Sequence, residues 1–230
     1  MAQLVKIRLP NGQTLEPADW TAAEPLYSTV EIGAGSFPVL TAYSYAIGGE
    51  VPGSAGGRSA TIADTNLQGE GARLPENEEL IAYSVAIEVF MIGADSGADP
   101  IPPPDAPDVS LLNMLRLQRD MLVVTRIAYV KEYTRNPMGW FPAGCGVMQY
   151  NSGSRTTRSA GTQGTVVSNN GNDGVQASRH LASPLYIAGG ESIAMDFIPG
   201  PGEVTGLALT DGSRMRLRTY FEGYRKRPVA

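Results

Sequence analysis

The residue types that most often perform chemistry are scarce in this chain of 230 residues, which has one cysteine, Cys145, and one histidine, His180. A metal site built from histidine and cysteine needs three or four such ligands, so zinc fingers, cupin-type histidine clusters and haem attachment are excluded. A serine or cysteine nucleophile would have to use His180 as its base, and no serine lies in a Gly-x-Ser-x-Gly elbow. The sequence therefore predicts no cofactor and no small-molecule substrate.

Paired carboxylates are the remaining route to catalysis, because glycoside hydrolysis needs only two acids across a cleft. Acids cluster at Glu76, Glu78 and Glu79, and Glu191 and Asp196 flank another strand-like segment. These positions, at a strand entry and on the polar side of an alternating strand, are where solvent-facing acids ordinarily lie. P-loop, dinucleotide-binding, HExxH and EF-hand motifs are missing from the sequence. We therefore expect a protein that is not an enzyme.

The most distinct charged pattern is a candidate basic contact face made of six residues, which are Arg214, Arg216, Arg218, Arg225, Lys226 and Arg227. The first three alternate with other residues, so a strand would place their guanidinium groups on one side. Such a face suits the phosphates of nucleic acid or of lipid headgroups, or an acidic neighbouring subunit. The alternative is a solvated strand face whose cations discourage unwanted strand pairing.

The charges are divided unevenly along the chain. Residues 1–110 contain 15 acids and 4 bases, whereas residues 111–230 contain 8 acids and 14 bases. Arginine outnumbers lysine by 15 to 3, and arginine is the better residue for planar, partly buried pairs with carboxylates. In a self-associating protein this division predicts acidic-to-basic contacts between neighbours, or a subunit with one basic side. Both arrangements predict salt-sensitive assembly.

The elements that would position these residues are antiparallel strands. Asn11-Gly12, Gly189-Gly190 and Asp211-Gly212 each lie between strand-like segments and favour tight turns, which predicts three hairpins. Residues 121–133 are apolar on both sides over much of their length and fit a central strand. A period of two predicts that one strand face consists of Ile81, Tyr83, Val85, Ile87, Val89 and Met91. About ten such candidates favour an all-β antiparallel sandwich.

Longer connections interrupt the strands. Asp108 is a candidate cap for a short helix in VSLLNMLRLQRDM. Three long loops, which we expect to be functional or ordered by a partner, cover residues 48–71, 94–108 and 151–174. The sequence is compatible with two domain divisions. Residues 1–75 form a strand-rich arm or extension in front of a sandwich at 76–230, or residues 1–230 form one continuous domain.

The C-terminal half resembles a known family. The runs SPLYIAGGESIAMDFIPGPG and GLALTDGSRMRLRTYFEGYRKRPVA are similar to the closing strands of single jelly-roll capsid proteins from tailless icosahedral viruses of bacteria and archaea, some of which have an internal membrane. The likeness spans roughly residues 80–230. It implies an eight-stranded viral jelly roll that self-assembles into a shell, with long loops at subunit contacts or on the exterior and without a catalytic site.

The resemblance also implies partners and a location. The partners would be copies of the chain itself, a second capsid protein, and the viral nucleic acid or an internal membrane. The sequence has no signal-peptide run and no transmembrane helix, so we expect a virion protein made in the host cytoplasm. The alternative is a carbohydrate-binding spike, tail or adhesin module, in which the loop at 151–174 would contact a polysaccharide.

Overall fold

A computed structural model describes residues 7–8, 14–15, 20–21, 25–33, 37–68, 73–92, 116–128, 131–141, 179–200 and 214–226. These ranges contain eleven strands, a helical segment at 116–120 and a short 3₁₀ helix at Met138–Trp140. The strands are β1 (Ile7–Arg8), β2 (Thr14–Leu15), β3 (Trp20–Thr21), β4 (Leu26–Ile32), β5 (Leu40–Ala42), β6 (Glu79–Ile92), β7 (Met121–Ile127), β8 (Lys131–Pro137), β9 (Arg179–Ile187), β10 (Ile193–Pro199) and β11 (Arg214–Lys226).

Two antiparallel sheets make up the body of the molecule. One sheet has the order β4, β11, β6, β9, and β3 continues the β4 position by pairing with the last residues of β11. The other sheet has the order β5, β10, β7, β8. Among the described strands, β1 and β2 pair only with each other.

The order of the eight main strands follows a simple rule. Counted from β4, the first strand pairs with the last, the second with the seventh, the third with the sixth and the fourth with the fifth. This is the order that results when a long antiparallel ribbon of strands is rolled up so that its pairs alternate between two sheets. The fold is an eight-stranded jelly roll, which confirms the predicted all-β antiparallel sandwich.

The core lies between the two sheets, and β11 shows how the sequence builds it. Met215, Leu217, Thr219 and Phe221 are buried, whereas the residues between them are half-exposed. The opposite sheet contributes core residues that are spaced in the same way, including Ile193, Met195 and Phe197. Each fully buried apolar side chain of this size stabilises the fold by about 1.5–3 kcal/mol.

The predicted alternation in β6 is confirmed from Val85 to Val89 and wrong before Val85. Val85, Ile87 and Val89 belong to the core, but Ala82 takes the core position in place of Tyr83. A β-bulge between Ala82 and Ser84 causes this change, because one extra residue reverses the side on which the following side chains lie.

The three predicted hairpins have different outcomes. The strands flanking Asn11-Gly12 pair as expected, since Ile7 opposes Leu15. The hairpin at Gly189-Gly190 is wrong, because β9 pairs with β6 whereas β10 pairs with β5 and β7. The glycine pair does form a tight turn, but that turn carries the chain from one sheet to the other. Asp211-Gly212 lies outside the described residues.

The central strand predicted at 121–133 is shorter than expected. It ends at Ile127, and Ala128 then adopts a positive φ of 53° before β8 begins at Lys131. β7 is nevertheless central, since it lies between β10 and β8. The predicted helix is described only at 116–120, where Leu117 is buried in the core, and Asp108 lies outside the described residues.

The sandwich starts well before residue 75. β4 and β5 are strands of the two main sheets, and Leu26, Val30 and Leu40 are core residues. The described residues 26–33 and 37–68 therefore include strands of both main sheets and part of the core. Among the described residues, no helix has the length and apolar character needed to cross a membrane.

Candidate functional site

The arginine stripe lies where the alternation places it. Arg214, Arg216 and Arg218 are on the outer face of β11, opposite the core-facing Met215 and Leu217. Beside β11 lies β4, which is the edge strand over residues 26–32. The chain between β5 and β6 returns across this edge, and we call its residues 45–66 the strap.

The three arginines contact the strap or the residue that holds it. Arg214 Nη1 donates a hydrogen bond to the carbonyl oxygen of Gly53. Arg218 Nη2 donates to the carbonyl oxygen of Ala63 at 2.8 Å. Arg216 Nη2 lies 2.8 Å from Oε1 of Glu31, an acid on β4. The stripe predicted as an intermolecular contact face therefore has partners within its own subunit.

Glu31 is shared with a second arginine that comes from the strap itself. Arg58 Nη2 lies 2.8 Å from Glu31 Oε1 and 2.7 Å from Asp64 Oδ1, and Arg58 Nη1 donates to Asp64 Oδ2 at 2.8 Å. The two carboxylate side chains are only 4% and 1% exposed, whereas Arg58 is 35% exposed. We call these four residues, Glu31, Arg58, Asp64 and Arg216, the strap network.

The turn at Thr61–Asp64 supplies hydrogen-bond donors to the Asp64 carboxylate. Asp64 accepts hydrogen bonds from the Thr61 backbone N–H at 2.9 Å and from Thr61 Oγ1 at 3.0 Å. Burial alone would raise the pKa of Asp64, but the bonds from Arg58 and Thr61 outweigh it and lower the pKa to about 2. Asp64 is therefore charged at every ordinary pH.

The strap also satisfies the backbone of the β4 edge. Alternate residues of an edge strand direct their N–H and C=O groups away from the sheet, and here these residues include Tyr27 and Thr29. The Tyr27 N–H donates to Asn66 Oδ1 at 3.0 Å, and the Tyr27 carbonyl accepts from the Asn66 N–H at 3.4 Å. The Thr29 N–H donates to the Tyr45 hydroxyl at 3.1 Å, and the Thr29 carbonyl accepts from that hydroxyl at 2.5 Å.

Glu31 is the third outward-directed residue of this edge. Its N–H donates to the Pro52 carbonyl at 2.9 Å. Gly53 packs so closely that a Cβ atom built on it would lie 1.9 Å from the Glu31 carbonyl oxygen, and its φ is +77°. Only glycine fits this close approach. The predicted loop at 48–71 is thus ordered over residues 48–68 by its own sheet, which removes the need for a partner there.

The remaining three members of the basic face do not join the stripe. Arg225 is on the core-facing side of β11 and only 1% exposed, so it is no part of an accessible face. Its Nε and Nη2 lie 2.8 and 2.5 Å from Oε2 of Glu78, which is itself buried. Lys226 Nζ lies 3.2 Å from Glu79 Oε1 on the outer side. Arg227 lies outside the described residues.

Several of the carboxylates considered for catalysis have structural partners as well. Glu79 also accepts the Tyr186 hydroxyl at 2.9 Å, and Glu191 accepts the Ala188 N–H of the turn between β9 and β10 at 2.9 Å. Asp196 lies 2.6 Å from Arg126 Nη2. Within the described ranges, no group of three or more His, Cys, Asp or Glu side chains is placed to hold a metal ion.

The two residues considered for nucleophilic chemistry are not brought together by the described structure. The backbone of His180 pairs with Ser84 across β9 and β6, and Cys145 lies outside the described residues. Ser84 is buried and donates to Glu222 Oε2 at 2.5 Å. This serine therefore bonds an acid directly, without a histidine between them.

Sequence reasoning misses the strap network, although one part of it has a local signal. Thr61 and Asp64 are three residues apart, a spacing at which side chains close turns. Glu31 is 27 residues from Arg58 and 185 from Arg216, so no spacing pattern connects them.

Comparison of the chain with models of protein families, with curated proteins and with solved structures gives no match. Fold and contacts must therefore carry any assignment of function.

Proposed function

We propose that this chain is a structural subunit that self-assembles into the icosahedral shell of a virus particle. The observation that carries the proposal is the strand order of the sandwich, in which eight strands pair first with last and so on inward. Jelly rolls with two packed sheets occur as viral capsid proteins, as lectin domains and as cupins. Fold alone does not assign a function, so the residues have to separate these classes.

The composition argues against one of the three classes. Cupin-type metal chemistry requires a cluster of histidines, and this chain has one histidine and one cysteine. Among the described acids and bases, Glu31, Arg58 and Asp64 connect the sheet to the strap that covers its edge, which is a structural role. The sequence likeness to capsid proteins includes residues that lie in β9, β10 and β11.

The proposal concerns assembly through protein contacts. Arg214, Arg216 and Arg218 form hydrogen bonds within the subunit. The proposal therefore does not rely on binding of nucleic acid or lipid headgroups by this stripe. The partners we propose are copies of the chain and a second capsid protein, and the location is the virion. A carbohydrate-binding spike, tail or adhesin module is the competing class, since lectins share this architecture.

The experiment is expression of the chain followed by size-exclusion chromatography with light scattering and negative-stain imaging. We expect closed particles or discrete capsomers whose yield falls as ionic strength rises. A protein that stays strictly monomeric at high concentration across salt and pH would contradict the proposal. A small oligomer that binds defined polysaccharides on a glycan array would establish the competing class.

A further inference from the structure

We infer that the strap is a displaceable cover over a strand-acceptor edge, and that the uncovered β4 pairs with β4 of a second copy. This inference goes beyond the proposed shell function and does not depend on it. It concerns residues 45–66 and the three outward-directed residues of the edge, Tyr27, Thr29 and Glu31.

The contacts between strap and edge are those of a cover and not of a strand. The groups that bond β4 are a tyrosine hydroxyl, an asparagine amide, a threonine hydroxyl and single backbone groups from separate parts of the strap. No described strand of the sheets pairs with this side of β4. An edge of this kind is a ready template for another chain once its cover is removed.

The strap packs as a unit of its own. Tyr45, Val51 and Ala60 form a small apolar cluster that is separate from the main core. The residues that flank the strap, Tyr43 and Leu67, belong to the main core, and Tyr43 adopts a positive φ of 62°. The body of the strap can therefore detach between two fixed ends without opening the space between the sheets.

The strap network is the latch that keeps the cover closed. Arg58 binds both Asp64 of the strap and Glu31 of the edge. It is the most exposed residue of the strap network. Arg214 and Arg218 add hydrogen bonds from β11 to the carbonyls of Gly53 and Ala63.

The chemistry of β4 suits pairing with itself. In an antiparallel arrangement centred on Thr29, Tyr27 of each copy opposes Glu31 of the other, and Ser28 opposes Val30. No like charges face each other, and the outward N–H and C=O groups of Tyr27, Thr29 and Glu31 become mutual hydrogen bonds. A two-fold axis through the paired residues makes this contact self-complementary.

Two glycine substitutions test the displacement. Gly53→Ala forces the strap from the edge, because the added Cβ meets the Glu31 carbonyl. Gly56→Ala is the matched control, since Gly56 also has a positive φ, of +65°, but nothing lies within 4 Å of the added atom. Amide exchange followed by NMR should show Tyr27, Thr29 and Glu31 exchanging about tenfold faster or more in Gly53→Ala than in the control. Equal exchange in the two variants would overturn the displaceable cover.

The pairing is tested by sedimentation of the same variants over a range of concentrations. Gly53→Ala should gain a dimer that Gly56→Ala lacks, and adding Tyr27→Glu should abolish it, because carboxylates would then oppose each other at both ends of the pairing. A Gly53→Ala protein without the extra dimer, or with a dimer indifferent to Tyr27→Glu, would show that β4 does not pair in this register. If Gly53→Ala does not fold, Arg58→Gln opens the latch instead, with the exposed Arg135→Gln as its control.

Discussion

The two ionic clusters of the β4, β11, β6, β9 sheet use the same residue types in opposite surroundings. At one end of β11, Arg225 and Glu78 form a pair on the core side of the sheet, with the guanidinium only 1% exposed. Toward the other end, the strap network lies on the outer side, where Arg58 and Arg216 are 35% and 21% exposed. The first cluster is an ion pair enclosed by the core, whereas the second connects the sheet to the strap that covers its edge.

Burial decides what each cluster contributes. A buried guanidinium has lost its water, so the loss of its partner leaves an uncompensated charge in the interior. Arg225 is especially dependent on Glu78, because its Nη1 has no hydrogen-bond partner among the described residues. In the strap network, solvent can rehydrate an arginine that loses one partner, which lowers the cost.

The largest expected effect follows from breaking the enclosed pair. Glu78→Gln should reduce the free energy of unfolding by about 3–5 kcal/mol, because the Arg225 charge stays buried without its counterion. Urea denaturation followed by fluorescence or circular dichroism measures this change. The double variant Glu78→Leu/Arg225→Met is the control and should recover most of the loss. A double variant as unstable as the single one would show that shape, and not charge, governs this site.

The second largest effect is the acid sensitivity that Asp64 confers. Its pKa of about 2 in the folded protein lies below its ordinary value of 3.8, which corresponds to about 2 kcal/mol of stability. This contribution is complete above about pH 4 and is lost as the pH falls to about 2, since the unfolded chain takes up the proton first.

Asp64→Asn tests that window. The stability difference between wild type and variant, measured by urea denaturation, should be constant above about pH 4 and shrink toward about pH 2. Glu132→Gln, at an exposed pair with Arg135, is the control. Its stability difference from wild type should change less over the same pH range. A difference that does not change between these pH values would mean that Asp64 titrates normally in the folded protein.

The fold can be predicted from the sequence where the signal lies within a single strand. The alternation in β10 and in the second half of β6 places Ile193, Phe197 and Ile87 on the core side without any knowledge of the sheets. Period two is a property of each strand alone, so it survives whatever the strand packs against. Which strands become neighbours is not local, and for this reason the prediction of a hairpin at Gly189-Gly190 is wrong.

The candidate site can be predicted from the sequence only in part, for the same reason. Alternation correctly places Arg214, Arg216 and Arg218 on one side of a strand. Their partners come from the strap and from β4, and only the folded topology brings those segments together. Arg225, also placed on the predicted face, is on the buried side of β11, and its partner Glu78 is 147 residues away in the sequence.

The third prediction weakens the strap network without removing a side chain. Glu31→Gln keeps the shape of the residue but removes the charge that Arg58 and Arg216 share. We expect a loss of about 1–2 kcal/mol, less than at Glu78, because Arg58 keeps Asp64 and both arginines reach solvent. Thermal unfolding measures the loss, and a loss as large as that of Glu78→Gln would remove the distinction between the clusters.

The smallest expected effect is at the neighbour of the enclosed pair. Lys226 and Glu79 lie next to Arg225 and Glu78 in the sequence, but their side chains are on the outer face and 39% and 30% exposed. Lys226→Met should therefore change the free energy of unfolding by about 0.2–1 kcal/mol, and added salt should reduce the difference further, since exposed charges are screened. The same unfolding series at low and high salt measures both effects. A large, salt-independent loss would show that position along β11, rather than the side of the sheet, sets the strength of its ion pairs.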